Sequence, residues 1–410
     1  MDKGPRNIDL DIAIFRDKIV NTERLTVPHA LMHERKFVLR PIKESVELTC
    51  QKKLNGWLTL LRSLVAMRPW RNPRTELSLY QMYNRMNSSL HEAKDSEETL
   101  EPMHAMTPLT ADAMINTTDR CRKTHVMSIL NTTPDSFSDG ETNSLDPQRL
   151  RETAAAHIAA GATIIDVGGQ SSRPNAPDVT AEEEIRRVLP AIAAIKSLPE
   201  AKGVAISVDT YRAVVAEAAV NAGAHIVNDI SAGMLDPQML STVARLGCTY
   251  IMMHMRGTPA TMQSEENCTY KHHVKRHVKE ELSPRIKLAL EAGIRRWRII
   301  LDPGIGFAKT QQDNIELLRG SLVPRSATAP LRPHERDLLY MPQLYGCSRK
   351  GFIGNITGVT EPKDRVFGTA AAVTASISAG ADIVRVHDVQ EMVQVAKMAD
   401  ALYRYSGGST

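Results

Sequence analysis

Nine polar side chains in this 410-residue sequence stand at one kind of place: Asn131, Asp166, Asp209, Asn228, His254, Asp302, Ser348, Arg385 and His387 each fall at or near the end of a short apolar run. A single polar residue there is ordinarily a loop or helix cap. Eight runs ending this way describe a ring of polar groups over an aliphatic body, the form of a catalytic cup. The ring mixes two chemistries. Its carboxylates and amides suit a flat heterocycle that presents paired N–H donors. Its cations, Arg385 with Arg173, Arg349 and Lys350 close by in the chain, suit an anionic phosphate group. Asn131 could also hold a Mg²⁺ ion that touches phosphate oxygens. Such an ion takes few protein oxygens and leaves most positions to water and substrate.

Other chemistries find no support. There is no HExxH string and no strong zinc set. The string KHHVKRHVKE (271–280) puts His273 and His277 one turn apart, but its charge marks a solvated helix face. GIGFAK (304–309) follows a strand yet lacks the three-glycine dinucleotide fingerprint, so its glycines read as loop geometry. No Walker A loop and no GxSxG nucleophile elbow occur.

The runs that carry the ring are HVMSILN (125–131), TIIDVGG (163–169), GVAISVD (203–209), HIVND (225–229), CTYIMMH (248–254), WRIILD (297–302), MPQLYGCS (341–348) and ADIVRVH (381–387). Ala- and Leu-rich helical segments lie between them, among them RETAAAHIAAGA (151–162), AEEEIRRVLPAIAAIK (181–196) and RAVVAEAAVNAGA (212–224). Strand alternating with helix predicts a parallel sheet. Eight repeats in roughly 280 residues predict an α/β fold, a (β/α)₈ TIM barrel over about 120–410. The active site of such a barrel sits at the C-terminal ends of its strands, where the polar ring falls.

Composition agrees. Hydrophobic residues are 42% and charged residues 24%, which fits a globular chain with a substantial core. Aromatics are only 4%, so the core is aliphatic, as a Val- and Ile-rich parallel sheet requires. A net charge of +4 makes no case for nucleic acid. The five cysteines are odd in number and far apart, which opposes a disulfide framework and predicts reduced thiols inside the cell, in cytoplasm or mitochondrion. No apolar run reaches roughly 18 residues, so no membrane span is expected. The opening residues carry neither a signal h-region nor an Arg/Ser-rich presequence, and read like the middle of a domain.

Seven strings resemble, in order, the motifs of dihydropteroate synthase: NTTPDSFSDG (131–140), DVGGQSSRP (166–174), SVDT (207–210), VND (227–229), DPGIGF (302–307), SRKGF (348–352) and RVHD (385–388). The resemblance implies that the chain joins a pterin pyrophosphate to para-aminobenzoate. By it, Asp209, Asn228, Asp302 and Lys350 hold the pterin ring, with Asp302 taking the ring's amino and N3 hydrogens. Asn131 ligates Mg²⁺ on the leaving pyrophosphate, which Arg385, His387 and Arg173 bind. Ser172, Pro174, Phe307 and the first loop, with Thr133, Asp135 and Phe137, complete the para-aminobenzoate site, and Ser348 joins the substrate-binding set. The family usually has Gly where Glu141 stands and commonly Thr where Ser172 stands. Barrels of this family often pair as homodimers. A pterin-dependent methyltransferase would share the barrel and its aspartates but lacks the TPDSFSDG and SRKGF strings. A catalytically inactive scaffold is the other alternative, and seven intact motifs oppose it.

Ahead of the barrel, 121–410, lie two further zones. Residues 50–120 form a linker region of uncertain structure, with apolar residues at helical spacing (Leu54, Trp57, Leu58, Leu61, Leu64, Val65) and a polar stretch at 86–102. Residues 1–49 contain GPRNIDLDIAIF (4–15) and LTVPHALMHERKFVLRPI (25–42), which resemble the C-terminal half of hydroxymethyl-dihydropterin pyrophosphokinase. Asp9 and Asp11 share one face of a strand and can bind Mg²⁺ for ATP. The resemblance implies that Arg6, Arg24, His29 and Arg35 touch ATP phosphates and Phe37 the pterin, on part of an α+β ferredoxin-like domain. With the other half absent, this kinase part is expected to be inactive. The fusion resembles the multifunctional folate-synthesis proteins of fungi.

Overall fold

The computed structural model describes residues 106–119, 121–133, 146–171, 178–323, 338 and 340–404, with the backbone of two short strands before them. The chain divides into two compact units, Met1–Met103 and His104–Thr410. In the first, β1 (Val20–Asn21) pairs antiparallel with β2 (Thr26–Val27). The apolar residues at helical spacing from Leu54 to Val65, the polar stretch at 86–102, the Mg²⁺ and ATP residues Asp9, Asp11, Arg6, Arg24, His29 and Arg35, and Phe37 of the pterin contact lie outside the described residues.

The second unit opens with a hairpin, β3 (Met106–Pro108) against β4 (Met114–Asn116). Eight parallel strands follow: β5 (His125–Asn131), β6 (Ile164–Gly168), β7 (Ala205–Asp209), β8 (Ile226–Asp229), β9 (Thr249–Met253), β10 (Ile299–Asp302), β11 (Leu344–Tyr345) and β12 (Ile383–Val386). Their order in the sheet is β10-β9-β8-β7-β6-β5-β12-β11. A parallel bridge from Leu301 to Gln343 joins the two ends of that order and closes the barrel. All eight runs expected as strands form them, and the barrel is the one expected.

Helices cover the outside: α1 (Pro147–Ala159), α2 (Ala181–Lys196), α3 (Ala213–Ala222), α4 (Met239–Leu246), α5 (Glu265–Cys268), α6 (Val274–Glu291), α7 (Gln311–Leu318), α8 (Gly351–Thr357), α9 (Val366–Ser378) and α10 (Val389–Tyr403). Local sequence starts several of them. Thr180 caps α2 by accepting from the Glu183 amide, with acidic residues in the first turn facing the helix dipole. Thr310 and Asp313 form a capping box on α7. Every residue of β6 is buried, as a strand covered on both faces must be.

Side chains alternate across each strand. Val126, Ile165, Val167, Ile206, Val208, Val227, Tyr250, Met252, Ile299, Leu301, Val384 and Val386 pack outward under the helices. Met127, Ile164, Ala205, Ile226, Ile251, Ile300, Leu344 and Ile383, one from each strand, pack inward together. Leu109 and Ile115 of the hairpin join this inner cluster and plug the barrel at its N-terminal mouth. The hairpin falls inside 50–120, the region expected to be linker, so the end of that region belongs to the barrel unit. Its strands are too short to show a period in sequence; burial of the two side chains is what places it. Among the described residues no helix is long and apolar enough to cross a membrane.

Candidate active site

Counting in twos from the inner cluster predicts which residues reach the C-terminal mouth. Ile164 leads to Asp166, Ala205 to Asp209, Ile226 to Asn228, Ile300 to Asp302, Met127 to Asn131, Leu344 to Ser348, and Ile383 to Arg385 and His387. These side chains share the inner face of one mouth. His254 is three residues past Ile251 and so turns away from it. Its strand ends inward on Met253, which belongs to an apolar patch with Ile230, Met255 and Met262 against which Phe307 packs.

The floor of the cup is an ion-pair hub. Arg385 donates through Nε to Asp166 Oδ2 at 2.6 Å and through Nη2 to Asp209 Oδ2 at 2.7 Å. The same Asp166 oxygen accepts from Asn228 Nδ2 at 3.1 Å. Asp166 is fully buried, and its other oxygen, Oδ1, has no hydrogen-bond partner. Burial pushes Asp209 up to about 7; Arg385 opposes the shift and the Asp166 carboxylate adds to it. Asp166 stood in the ring read from sequence without a role of its own; only the fold reveals it as the hub.

On the facing side, the Asp302 carboxylate accepts the Gly304 amide at 2.7 Å and is 5% exposed. Burial pushes it up to about 6, against the pull of that amide and of Lys350. The Lys350 ammonium lies 4.2 Å from the centre of the Phe307 ring, within cation–π range. Burial pulls this lysine down to about 8, helped by Arg385 and resisted by Asp302. A buried carboxylate, a half-buried amine and an aromatic face thus stand together.

Towards the rim, the Ser348 hydroxyl accepts the His387 amide at 3.2 Å and lies 3.1 Å from Nδ1 of the same residue. The hydroxyl keeps one hydrogen and one more lone pair, so it can donate to Nδ1 or accept from it as the ring's tautomer requires. Asn131 and Asp209 flank Gly168, where an added Cβ would stand 3.2 Å from Asn131 Oδ1 and 3.9 Å from Asp209 Oδ2. A side chain there would crowd the Asn131 oxygen and only touch that of Asp209. An amide oxygen and a carboxylate oxygen are hard donors of the kind Mg²⁺ takes, few enough to leave positions for water and phosphate. Among the described residues no cluster of three His, Cys, Asp or Glu offers a closed metal cage.

Other expected residues are placed elsewhere. Arg349 is bound to Asp388, through Nε at 3.1 Å. His273 is 89% exposed, in keeping with a solvated face. Thr133 is described and partly exposed, whereas Asp135, Phe137, Ser172, Arg173 and Pro174 lie outside the described residues, as does Glu141.

Comparison with known proteins bears on this geometry. A family model described as pterin binding enzyme matches residues 127–387, and one described as 7,8-dihydro-6-hydroxymethylpterin-pyrophosphokinase matches residues 1–47. The chain is 42% identical to the folic acid synthesis protein fol1 of Pneumocystis carinii over 98% of its own length and 49% of that protein. It therefore spans about half the length of that curated relative. It is 46% identical to the dihydropteroate synthase of Synechocystis sp., over 69% of this chain and 91% of that one. A solved dihydropteroate synthase from Xanthomonas albilineans, in complex with 7,8-dihydropteroate, superposes with a TM-score of 0.58 at 33% identity, covering 72% of this chain and 98% of that one.

Proposed function

Because this chain belongs to the pterin-binding enzyme family, its barrel a dihydropteroate synthase domain, we propose that the cup joins 6-hydroxymethyl-7,8-dihydropterin pyrophosphate to para-aminobenzoate. The arylamine nitrogen attacks the pterin methylene carbon, the C–O bond to pyrophosphate breaks, and the amine gives up a proton. The observation that carries this reading is the shared inner face of Asp209, Asn228, Asp302, Lys350 and Arg385 at one barrel mouth. The paired acceptors of Asp302 suit the ring's amino and N3 hydrogens. Asn228, Asp209 and Lys350 complete the ring pocket. The Phe307 face and the neighbouring methionines suit the aryl ring of the second substrate.

Leaving-group charge is the main electrostatic demand of this substitution. His387, Arg385 and Arg173 would meet the pyrophosphate. Arg385 already serves two carboxylates, so phosphate must share it. Asn131 would hold Mg²⁺, which would supply positive charge to the pyrophosphate oxygens. Ser172, Pro174, Ser348, Thr133, Asp135 and Phe137 remain assigned to the substrates. Asp9, Asp11, Arg6, Arg24, His29 and Arg35 remain assigned to Mg²⁺ and ATP in the pyrophosphokinase segment. Two copies would pair through the barrel, a reading supported by exposed Phe367, Met398 and Leu402 on the packed helices α9 and α10.

The test is direct. Purified chain, given both substrates and Mg²⁺, should form dihydropteroate and pyrophosphate in equal amounts. Asp302→Asn turns one acceptor into a donor against the ring's N–H edge. A mispaired buried contact costs roughly 1–3 kcal/mol, or about 5- to 150-fold in pterin affinity. No product from the wild-type chain, or wild-type pterin binding by Asp302→Asn, would reject the reading.

A further inference from the structure

Two titratable side chains beside the cup, His254 and Lys309, have no part in the reaction as proposed, yet they are only 3% and 4% exposed. An ammonium out of water is costly unless hydrogen bonds replace the lost hydration. Lys309 has such bonds. Its Nζ lies 2.9 Å from the Phe307 carbonyl, 3.0 Å from His254 Nδ1 and 3.5 Å from the His254 carbonyl. His254 Nε2 in turn stands 2.8 Å from Glu281 of α6, whose other oxygen takes Arg256 Nε at 3.0 Å.

The direction of each bond follows. A lysine ammonium only donates, so Nδ1 accepts, the imidazole is neutral, and Nε2–H donates to Glu281. Burial pulls His254 down to about 4, with Lys309 adding to the effect, in keeping with a neutral ring. Burial likewise pulls Lys309 down to about 7, while the carboxylates of Asp302, Glu281 and Asp313 hold it up. The chain of bonds runs from the helix layer to the loop between Asp302 and Lys309.

That loop carries two of the proposed site residues, Asp302 at its start and Phe307 near its end. It turns through three left-handed residues, Gly304 (φ 70°), Gly306 (φ 77°) and Ala308 (φ 49°). Ala308 is held there at a steric cost. Side chains bind the backbone around the turn: Asn314 accepts the Gly306 amide at 2.6 Å, and Tyr270 donates to the Ala308 carbonyl at 2.8 Å. Lys309 completes the turn by reaching back two residues to Phe307 and across to the end of β9. The His254 amide also donates to the Asp302 carbonyl at 2.9 Å. At Gly304 an added Cβ would fall 2.0 Å from the His254 carbonyl oxygen, so loop and strand end meet in backbone contact.

We propose that Lys309, itself held by His254, is a positioning residue that keeps Phe307 in place against Lys350 and so shapes the arylamine side of the cup. The inference rests on the synthase reading above. Its test is the full chain carrying Lys309→Met, assayed against each substrate in turn. The KM for para-aminobenzoate should rise about tenfold, the scale of one buried hydrogen bond lost to the charge. The KM for the pterin pyrophosphate should change by less than about threefold, because Asn228 and Asp209 keep their partners and Asp302, though it loses the pull of Lys309, keeps the stronger ones of the Gly304 amide and Lys350. Unchanged KM values with only a lower melting temperature, or both KM values raised alike, would overturn the proposal.

Should Lys309→Met fail to fold, His254→Asn breaks the link to Glu281 and should give the same selective rise. Its absence in a folded protein overturns the proposal equally. A crystal structure of either variant is independent of turnover. It should show the Phe307 ring displaced from its 4.2 Å distance to the Lys350 ammonium. An unmoved ring rejects the positioning role while the synthase reading stands; an inactive wild type with a displaced ring rejects only the synthase reading.

Discussion

Arg385 and Asp166, 219 residues apart in the chain, meet at 2.6 Å between Nε and Oδ2. The same oxygen holds the Asn228 amide by its nitrogen, so the amide oxygen is the atom left to accept from a ring donor. One buried carboxylate thus orients two groups of the cup. Asp166→Asn should weaken both holds. A hydrogen bond to a charged group is worth roughly 1.5–3 kcal/mol, so pterin affinity should fall about 10- to 150-fold. Titration calorimetry measures it, and affinity within a factor of two of wild type would show that Asp166 orients nothing.

Pterin binding should fade in acid. Asp302 must be ionised to accept two ring hydrogens, and burial has pushed it up to about 6. Below that pH affinity should fall about tenfold per unit as the carboxyl protonates. Folding responds with the opposite sign. Between the ordinary 3.8 and about 6, the folded chain keeps a proton that the unfolded chain has released. Stability of the unliganded fold therefore drops as pH rises through that window. Asp209, raised by burial to about 7, extends the same trend upward. Binding and denaturation curves at pH 5 and pH 7 decide the matter; affinity that is flat across them removes Asp302 from the ring contact.

What was legible in sequence, and what was not, follows from the range of the interactions. The strands were legible because each is a buried aliphatic run, and the cup because its polar residues end those runs. His254 was misplaced in the ring because CTYIMMH gives no mark of where inward counting begins; Ile251 sets it, and only closure of the barrel identifies Ile251 as inward. Lys309 carries no signal at all, since lysine is rarely buried and only the doubled-back loop hides it. The hairpin Met106–Asn116 was hidden for a related reason. Its strands have three residues each, and its side chains gain their environment from eight strands elsewhere in the chain.

Metal removal gives an independent check on the rim. If Asn131 holds Mg²⁺, a chelator should abolish dihydropteroate formation and added Mg²⁺ should restore it. Asn131→Ala should raise the Mg²⁺ concentration needed for half-maximal rate by about tenfold or more, since few other protein oxygens serve the ion. Gly168→Ala should act similarly, because its Cβ would crowd Asn131 Oδ1 at 3.2 Å. Rates indifferent to chelator would end the metal assignment.

The plug offers a prediction of the reverse kind, a loss of stability without a loss of chemistry. Ile115 and Leu109 are 3% and 2% exposed, packed against inward residues from all eight strands at the mouth opposite the cup. The hairpin is tied down at both ends, by Thr249 Oγ1 donating to the Pro108 carbonyl at 2.6 Å and Thr117 Oγ1 donating to the Tyr340 carbonyl at 2.8 Å. It therefore cannot readily move to fill a void. Ile115→Ala should leave a cavity and cost about 2–5 kcal/mol. In these barrels the N-terminal face serves stability and the C-terminal face chemistry. The denaturant midpoint should accordingly drop while kcat/KM per folded molecule stays within a factor of two. A wild-type midpoint would mean that the hairpin does not close the barrel. A changed KM in a fully folded variant would mean that the plug reaches the cup through the inner cluster, and the separation of the two faces would have to be given up.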